Sequence, residues 1–196
     1  MTRPESKPGR LAAFTDGWWP VAIIAVLLGV VLYQRWQTTH PTHPARLQIG
    51  EQLPSLVLQN LEGATVPIEW SADTRPTAIY VFQPKCIWCS RNLDGLRRLL
   101  RNDSGYRFIG VSLTREGLQE YVDRNRLTLP VYYVPDMKRV SSLKVIVTPE
   151  TIVVSTAGRV QNVWLGAYTG ETAKEIEKLF GVTLPPVQTA ASSVSE

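Results

Sequence analysis

The sequence predicts an α/β domain, a central mixed β-sheet flanked by helices, behind one N-terminal transmembrane helix. Three observations lead to this prediction. Residues 17–34 form an apolar run without a charged side chain. Between residues 50 and 184, strand-like apolar segments alternate with segments of helical period. Cys86 and Cys89, the two cysteines of the chain, stand where one such strand passes into a helix. Strands interleaved with helices favour a mixed sheet with helices on both faces.

The apolar run, GWWPVAIIAVLLGVVLYQ, is long enough to cross a bilayer. As a helix rising about 1.5 Å per residue it measures roughly 27 Å, close to the ~30 Å thickness of the hydrocarbon layer. Trp18, Trp19 and Tyr33 stand near its ends, where aromatic side chains favour the membrane interface. The alternative is a cleaved signal peptide, but the run ends in large residues instead of a small-x-small cleavage site. We therefore predict an uncleaved anchor over residues 17–36.

Basic residues on the two sides of the anchor predict its orientation. Three precede the run and two follow it, which favours a cytoplasmic segment over residues 1–16. They are Arg3, Lys7 and Arg10 before it, and Arg35 and Arg46 after it. The prediction is a single-pass protein of the inner membrane, with its C-terminal domain in the periplasm or another extracytoplasmic space.

The segments around the domain are polar. Residues 37–49 contain prolines and predict a semi-rigid linker, in which both histidines, His40 and His43, lie. Residues 185–196 are small and polar and predict a disordered tail. The domain between them spans residues 50–184. The net charge is only +4 and no dense Lys/Arg run occurs, so nucleic acid is not a predicted partner.

The first half of the domain predicts strands followed by a helix. SLVLQNLEGATVPIEW, residues 55–70, indicates an N-terminal β-hairpin around a turn at Glu62 and Gly63. TAIYVFQ, residues 77–83, is a continuous apolar run that indicates a buried strand. A helix with leucines at helical spacing and charges on its other faces then follows. The leucines are Leu93, Leu96 and Leu100, and the charged residues are Asp94, Arg97, Arg98 and Arg101.

The next segments repeat this alternation. YRFIGVSL, residues 106–113, predicts a second buried strand, and residues 127–134 predict a further extended segment. Thr114 is predicted to cap the helix between them. The apolar residues of that helix are Leu118, Tyr121 and Val122.

The domain is predicted to end in a hairpin and a helix. Residues 151–166 indicate two strands with a turn at Ala157 and Gly158. Thr169 is predicted to cap the last helix. One face of that helix carries Ala173, Ile176, Leu179 and Phe180.

The Cys-x-x-Cys pair admits three chemistries. A structural zinc site needs four ligands, but the chain has no second cysteine pair, and its histidines lie about 45 residues upstream in the linker. An inert disulfide stabilises a protein by restricting the unfolded chain, and a loop of two intervening residues restricts very little. A redox-active pair is therefore the favoured interpretation.

The predicted position of the pair suits redox chemistry. Cys86 would stand at the N-terminus of the leucine-bearing helix, where free backbone N–H groups and the helix dipole stabilise a thiolate. Lys85 and Arg91 add positive charge and would lower the pKa of Cys86 further. The thiolate is the nucleophile, so Cys86 would attack, and Cys89 would resolve the mixed disulfide.

A buried strand, an aromatic residue and a Cys-x-x-Cys that opens a helix resemble the thioredoxin superfamily. LKVIVTPETIVVSTAGRVQNVWLGAY, about sixty residues later, resembles the second signature of that superfamily. By this resemblance, Thr148–Pro149 is the cis-proline pair that faces the disulfide. The N-terminal hairpin and the anchor are most similar to the membrane-tethered TlpA-like thiol–disulfide oxidoreductases.

The resemblance implies the site and its partners. By the resemblance, Cys86 and Cys89 are the catalytic residues, and Thr148 and Pro149 shape the substrate groove. Trp88 is assigned to the groove because it lies between the cysteines, and Lys85 is assigned to tuning the pKa of Cys86 because of its charge. No metal or organic cofactor is implied. The expected partners are protein thiols and disulfides, together with a transmembrane electron donor.

The chain departs from the usual thioredoxin pattern in three ways. Lys85 replaces the usual tryptophan, no proline lies between the cysteines, and Tyr80 stands where many thioredoxins have a buried acid. The favoured function is a reductant in cytochrome or metal-site maturation. The alternatives are a disulfide oxidase or isomerase, and a non-catalytic maturation or copper-handling factor on the same fold.

Three arginines follow the cysteine pair in the predicted helix. They are Arg97, Arg98 and Arg101. Asp94 stands one turn before Arg97 and Arg98, so a solvated, partly paired helix face accounts for the group. Contact with anionic lipid or with an acidic partner is the alternative.

Overall fold

The computed structural model describes residues 18–39, 46–102, 105–136 and 141–187. The chain divides into two units, Met1–Pro44 and Ala45–Glu196. The predictions for residues 1–16, for His40 and His43, and for residues 188–196 of the tail lie outside the described residues.

The first unit contains helix α1 (Trp19–Thr39). The helix is long and apolar enough to cross a membrane, a property that a signal sequence shares. Its side chains are exposed as far as Trp36. An apolar helix was predicted here, but it ends three residues beyond the predicted limit of residue 36. The assignment of residues 17–36 as an anchor stays a prediction.

The second unit is built on one seven-stranded sheet with the order β2-β1-β5-β4-β3-β6-β7. The strands are β1 (Leu56–Asn60), β2 (Thr65–Ile68), β3 (Thr77–Phe82), β4 (Arg107–Ser112), β5 (Val131–Tyr133), β6 (Glu150–Val154) and β7 (Val160–Leu165). The helices are α2 (Ile87–Arg91), α3 (Leu93–Leu100), α4 (Leu118–Asn125) and α5 (Gly170–Phe180). The predicted α/β fold with a mixed sheet and an N-terminal hairpin is confirmed.

Strand β3 lies inside the sheet and positions the cysteine pair. All six of its side chains are buried, as its apolar run predicts. It pairs in parallel with β4 and antiparallel with β6. In the second ladder Val81 faces Glu150, so β3 ends beside the point where β6 begins. Cys86 follows the end of β3, and Pro149 precedes β6, which brings both to one edge of the sheet.

The two faces of the sheet are covered differently. The α-helices of the second unit contribute their buried side chains to one cluster, which includes Leu96, Tyr121 and Phe180. The other cluster includes residues from segments outside the α-helices, among them Leu47, Trp70 and Leu143. Helices were expected on both faces. The α-helices of this unit lie on the first face, and the second face is covered by residues 46–53 and by 3-10 turns at Trp70–Ala72 and residues 141–143.

The helix after the cysteines is broken at Asn92. A continuous helix through residues 86–100 was expected, but α2 ends at Arg91 and α3 begins at Leu93. The Asn92 side chain is buried, and its Oδ1 accepts a hydrogen bond from the Tyr168 N–H at 2.8 Å. In α3 the most deeply buried leucines are at 93, 96 and 99 rather than 100.

Helix α4 begins later than predicted. Gly117, in the left-handed region at φ 69°, occupies the N-cap, so the assignment of that cap to Thr114 is wrong. The Thr114 hydroxyl instead accepts a hydrogen bond from the Glu116 N–H at 3.2 Å, forming a local turn of the kind that threonine favours. Thr169 does occupy the N-cap of α5 as predicted, although its side chain makes no capping bond.

Gly158 permits the tight turn between β6 and β7. Its φ is +78°, and a Cβ there would lie 2.8 Å from Trp70 Cδ1 and 3.0 Å from the Leu53 carbonyl oxygen. We expect Gly158→Ala to lower the free energy of unfolding by about 1–3 kcal/mol, because strain and crowding add. Chemical denaturation measures this change. Gly166→Ala is the control, since its φ is also positive, at +82°, but its Cβ would meet nothing within 4 Å. Equal losses in both variants would show that crowding at Gly158 is unimportant.

Candidate active site

The two cysteines form a disulfide at the start of α2. Their Cα atoms are 5.2 Å apart. Cys86 is the N-cap of α2, and its Sγ accepts a hydrogen bond from the Cys89 N–H at 3.1 Å. A donor already aimed at this sulfur would stabilise negative charge on it after reduction.

The two sulfur atoms differ in access to solvent. Cys89 is 0% exposed and belongs to the core cluster formed with the α-helices, whereas Cys86 is only partly buried. An incoming partner can therefore reach Cys86 more easily than Cys89. This asymmetry suits a pair in which one cysteine attacks and the other resolves.

The segment before β6 reaches the disulfide. The Thr148 carbonyl oxygen lies 3.4 Å from Cys86 Sγ, across 62 residues of sequence. The Thr148–Pro149 peptide bond is cis, as the resemblance implied. Two exposed apolar side chains, Ile146 and Val147, precede this contact in the sequence. The structure therefore places Thr148 and Pro149 beside the disulfide.

The residues that flank the pair carry exposed charge. The Lys85 ammonium forms an ion pair with Glu116 at 2.8 Å, with both side chains about three-quarters exposed. The ion pair lowers the pKa of the Glu116 carboxyl. The sequence did not predict this partner, which offsets part of the positive charge expected beside Cys86. The Arg91 guanidinium lies 5.0 Å from the centre of the Trp88 ring, which is 43% exposed.

Two tyrosine hydroxyls, those of Tyr80 and Tyr168, lie near the buried cysteine. The Tyr80 hydroxyl donates a long 3.4 Å hydrogen bond to the Cys89 carbonyl. Burial raises the pKa of Tyr80 well above its usual value, so its hydroxyl stays protonated at neutral pH. Tyr168, which packs edge-on against Tyr80, shares a 2.9 Å hydrogen bond with the Thr151 hydroxyl. The polar groups that Tyr80 and Tyr168 place near Cys89 are therefore hydroxyls and not carboxylates.

Glu150 is a functional candidate that the sequence interpretation missed. It follows Pro149 and is 0% exposed, and burial raises the pKa of its carboxyl to about 7. Oε2 accepts a long 3.4 Å bond from the Ile146 N–H, and Oε1 has no partner within the described part of the chain. Ile152 lies two residues further along β6, so its side chain is on the same face of the sheet as that of Glu150. Ile152 belongs to the cluster on the face opposite to Cys89, so Glu150 is on that opposite face as well. An acid that opens a strand of otherwise β-branched residues in PETIVV was the available signal.

Fold and site together define a class of protein. A partly exposed cysteine opens a helix after a buried strand, is bonded to a buried cysteine, and touches the residue before a cis-proline. This is the arrangement of a thioredoxin-like protein with a dithiol–disulfide centre. Thiol–disulfide exchange is the chemistry that such a pair can perform.

Known proteins of this class are similar to the chain. No protein-family model matches it. Thiol-disulfide oxidoreductase ResA of Halalkalibacterium halodurans is 23% identical over 163 residues, which cover 81% of this chain and 90% of that protein. Its name supports the predicted enzyme class, a thiol–disulfide oxidoreductase.

Solved structures share the fold at low sequence identity. The thioredoxin domain of a thiol-disulfide oxidoreductase from Bacteroides vulgatus has a TM-score of 0.56 and 18% identity, covering 68% of this chain and 99% of that one. StoA from Bacillus subtilis has a TM-score of 0.51 and 17% identity, covering 63% and 96%. The predicted thioredoxin-like fold and the resemblance to the TlpA-like branch are confirmed.

Proposed function

We propose that this protein is a membrane-anchored, extracytoplasmic thiol–disulfide oxidoreductase that reduces disulfides of protein partners. The observation that carries the proposal is the asymmetry of the pair. Cys86 is reachable and accepts an N–H bond, whereas Cys89 is buried one helical turn away. Cytochrome or metal-site maturation is the proposed task.

The reaction starts from the dithiol form. The Cys86 thiolate attacks one sulfur of a partner disulfide, and the other partner sulfur leaves as a thiolate that takes up a proton. Cys89 then loses its proton and attacks Cys86 Sγ, which releases the second partner thiolate. The partner gains two electrons and two protons, and the Cys86–Cys89 disulfide is left behind. A dithiol donor must supply two electrons to restore the starting form.

The flanking residues have proposed roles in this cycle. The Thr148 carbonyl and Pro149 hold the backbone of an extended partner segment beside Cys86, with Trp88 at the side of the groove. Lys85 lowers the pKa of Cys86, to an extent limited by its ion pair with Glu116.

Membrane attachment supports the reductant role. We assign residues 17–36 to an uncleaved anchor in the cytoplasmic membrane, which holds the domain on the outer side. Such a location gives access to a transmembrane donor of electrons and to partners that mature at the membrane surface.

The reduction potential of the Cys86–Cys89 pair tests the direction of electron flow. The full chain in detergent is equilibrated with glutathione and dithiothreitol buffers, and thiols are then trapped by alkylation and counted by mass spectrometry. We expect a potential near about −270 mV, that of a reductant. A value near about −120 mV would assign an oxidase or isomerase instead. If the pair does not interconvert between dithiol and disulfide, the proposed enzymatic activity is wrong and a non-catalytic maturation factor is favoured.

A further inference from the structure

A basic trough lies on the outer side of α3. One cavity of about 650 Å³ lies between α3 and the end of α4, and a second of about 500 Å³ lies between α3 and the segment after α5. Both are lined by Asp94, Arg97 and Arg101, so they adjoin along α3. Five basic residues and one acidic residue line these cavities, and one of the five, Arg124, forms an ion pair with Glu120 outside the linings. The basic residues are Arg97, Arg98, Arg101, Arg124 and Arg126, and the acidic one is Asp94.

Two of the arginines are held in place by the fold. Arg97 donates to Asp94 Oδ1 at 2.8 Å and to the Asn125 carbonyl at 2.9 Å, which ties α3 to the end of α4. Arg98 donates to the Thr183 carbonyl at 3.3 Å on the other side of α3. A guanidinium has five N–H donors, so each keeps donors for a ligand after making these bonds.

Two other arginines lack an internal role. The side chains of Arg101 and Arg126 are exposed and make no hydrogen bond or ion pair within the ranges that the structure covers. Arg126 ends α4 at φ 48°, a left-handed conformation in which glycine or asparagine is favoured. Neither helix packing nor backbone geometry calls for arginine at this position.

The trough lies away from the disulfide. Cys86 follows the C-terminal end of β3, whereas β4, which follows α3, begins at Arg107, opposite Thr77 at the N-terminal end of β3. Helix α3 therefore runs from the disulfide edge of the sheet toward the opposite edge. A ligand bound beside Arg101 would leave Cys86 free to react.

We propose that this trough is a docking site for an extended acidic segment of a protein partner. Guanidinium groups pair with carboxylates through two parallel hydrogen bonds, and all five basic residues here are arginine, not lysine. The site is concave and has partly buried leucines, Leu100 and Leu127, among its lining. A flat anionic membrane surface fits such a concavity less well than a peptide does. Docking here would raise the local concentration of a partner near the disulfide without occupying it.

The test measures binding of a fluorescein-labelled glutamate peptide of about eight residues to the full chain in detergent at low ionic strength. Fluorescence anisotropy compares wild type with R101Q/R126Q and with K174Q/K178Q. Both double variants lose two positive charges, but Lys174 and Lys178 lie on α5 outside the trough. We expect R101Q/R126Q to weaken binding about tenfold, corresponding to ~1.4 kcal/mol, and K174Q/K178Q to change it less than about twofold.

Equal weakening by the two double variants would show nonspecific charge attraction and overturn the proposal. Binding of phosphatidylglycerol added to the detergent micelles, dependent on Arg101 and Arg126 and without binding of the peptide, would assign the surface to lipid and also overturn the proposal. Reduction of the disulfide by dithiothreitol reports separately on the redox pair, and we expect all variants to match wild type. Failure of peptide binding with normal disulfide exchange would therefore reject the docking site alone.

Discussion

Cys89→Ser is expected to trap a covalent complex between Cys86 and a partner, and to reduce catalytic turnover to the rate without protein. The Cys86 sulfur is the accessible one of the pair. It keeps its hydrogen bond from the backbone N–H of residue 89, because serine has the same backbone N–H as cysteine. It can therefore still attack. The second step needs a buried thiol one helical turn away, which the serine hydroxyl does not replace. Mass spectrometry under non-reducing conditions detects the mixed disulfide with a disulfide-containing peptide.

Cys86→Ser is the matched control for this trap. It leaves only the 0% exposed Cys89, so we expect neither turnover nor a covalent complex. Both variants should remain folded, because a disulfide that closes so short a loop contributes little stability. Faster complex formation by Cys86→Ser than by Cys89→Ser would reverse the assigned roles of the two cysteines.

Local signals in the sequence were sufficient for the strands and for the cysteine pair. Strand β3 was predictable because six consecutive buried side chains leave a continuous apolar run. The Cys-x-x-Cys pair could be predicted as a site because it follows directly after that strand. The cis-proline was found through resemblance, since the contact of the preceding Thr148 carbonyl with Cys86 spans 62 residues and no local pattern encodes it.

Features that depend on distant partners were not predictable in this way. The break at Asn92 depends on the Tyr168 N–H, 76 residues further along the chain. Helical spacing alone favours one continuous helix there, since asparagine interrupts a helix only weakly. The basic trough likewise forms only when the end of α4 packs beside α3. The sequence indicated the arginines of α3 but not Arg124 and Arg126 as their neighbours.

The burial of Glu150 is a further consequence of tertiary packing. A glutamate is almost always exposed unless it is paired, so its buried position cannot be expected from residue type. Its carboxyl has one long hydrogen bond from the Ile146 N–H, and the charge of Arg46 gives it a small additional stabilisation. Desolvation outweighs both effects, which is why the pKa of this carboxyl is raised.

Glu150→Gln is therefore expected to stabilise the protein at pH 8 and to leave it nearly unchanged at pH 4. In the folded protein the pKa of Glu150 is raised from 4.5 to about 7. Below pH 4.5 the carboxyl is protonated in both states, so it does not make stability depend on pH. As pH rises toward 7, the unfolded chain releases the proton while the folded protein retains it, and wild type loses stability. Glutamine has no proton to release, so the variant escapes this loss.

The expected gain is about 1–3 kcal/mol in the free energy of unfolding at pH 8. Chemical denaturation of the oxidised protein, followed by near-ultraviolet circular dichroism between pH 4 and pH 9, measures it. Glu171→Gln is the control, because that carboxyl is exposed in the first turn of α5 and its ion pair with Lys174 lies at the surface. If the difference in the free energy of unfolding between wild type and Glu150→Gln does not vary with pH, the Glu150 carboxyl is solvated or paired in solution. A difference that grows between pH 4.5 and 7 would identify Glu150 as a buried acid that titrates near neutral pH, two residues after the Thr148 carbonyl that lies beside the disulfide.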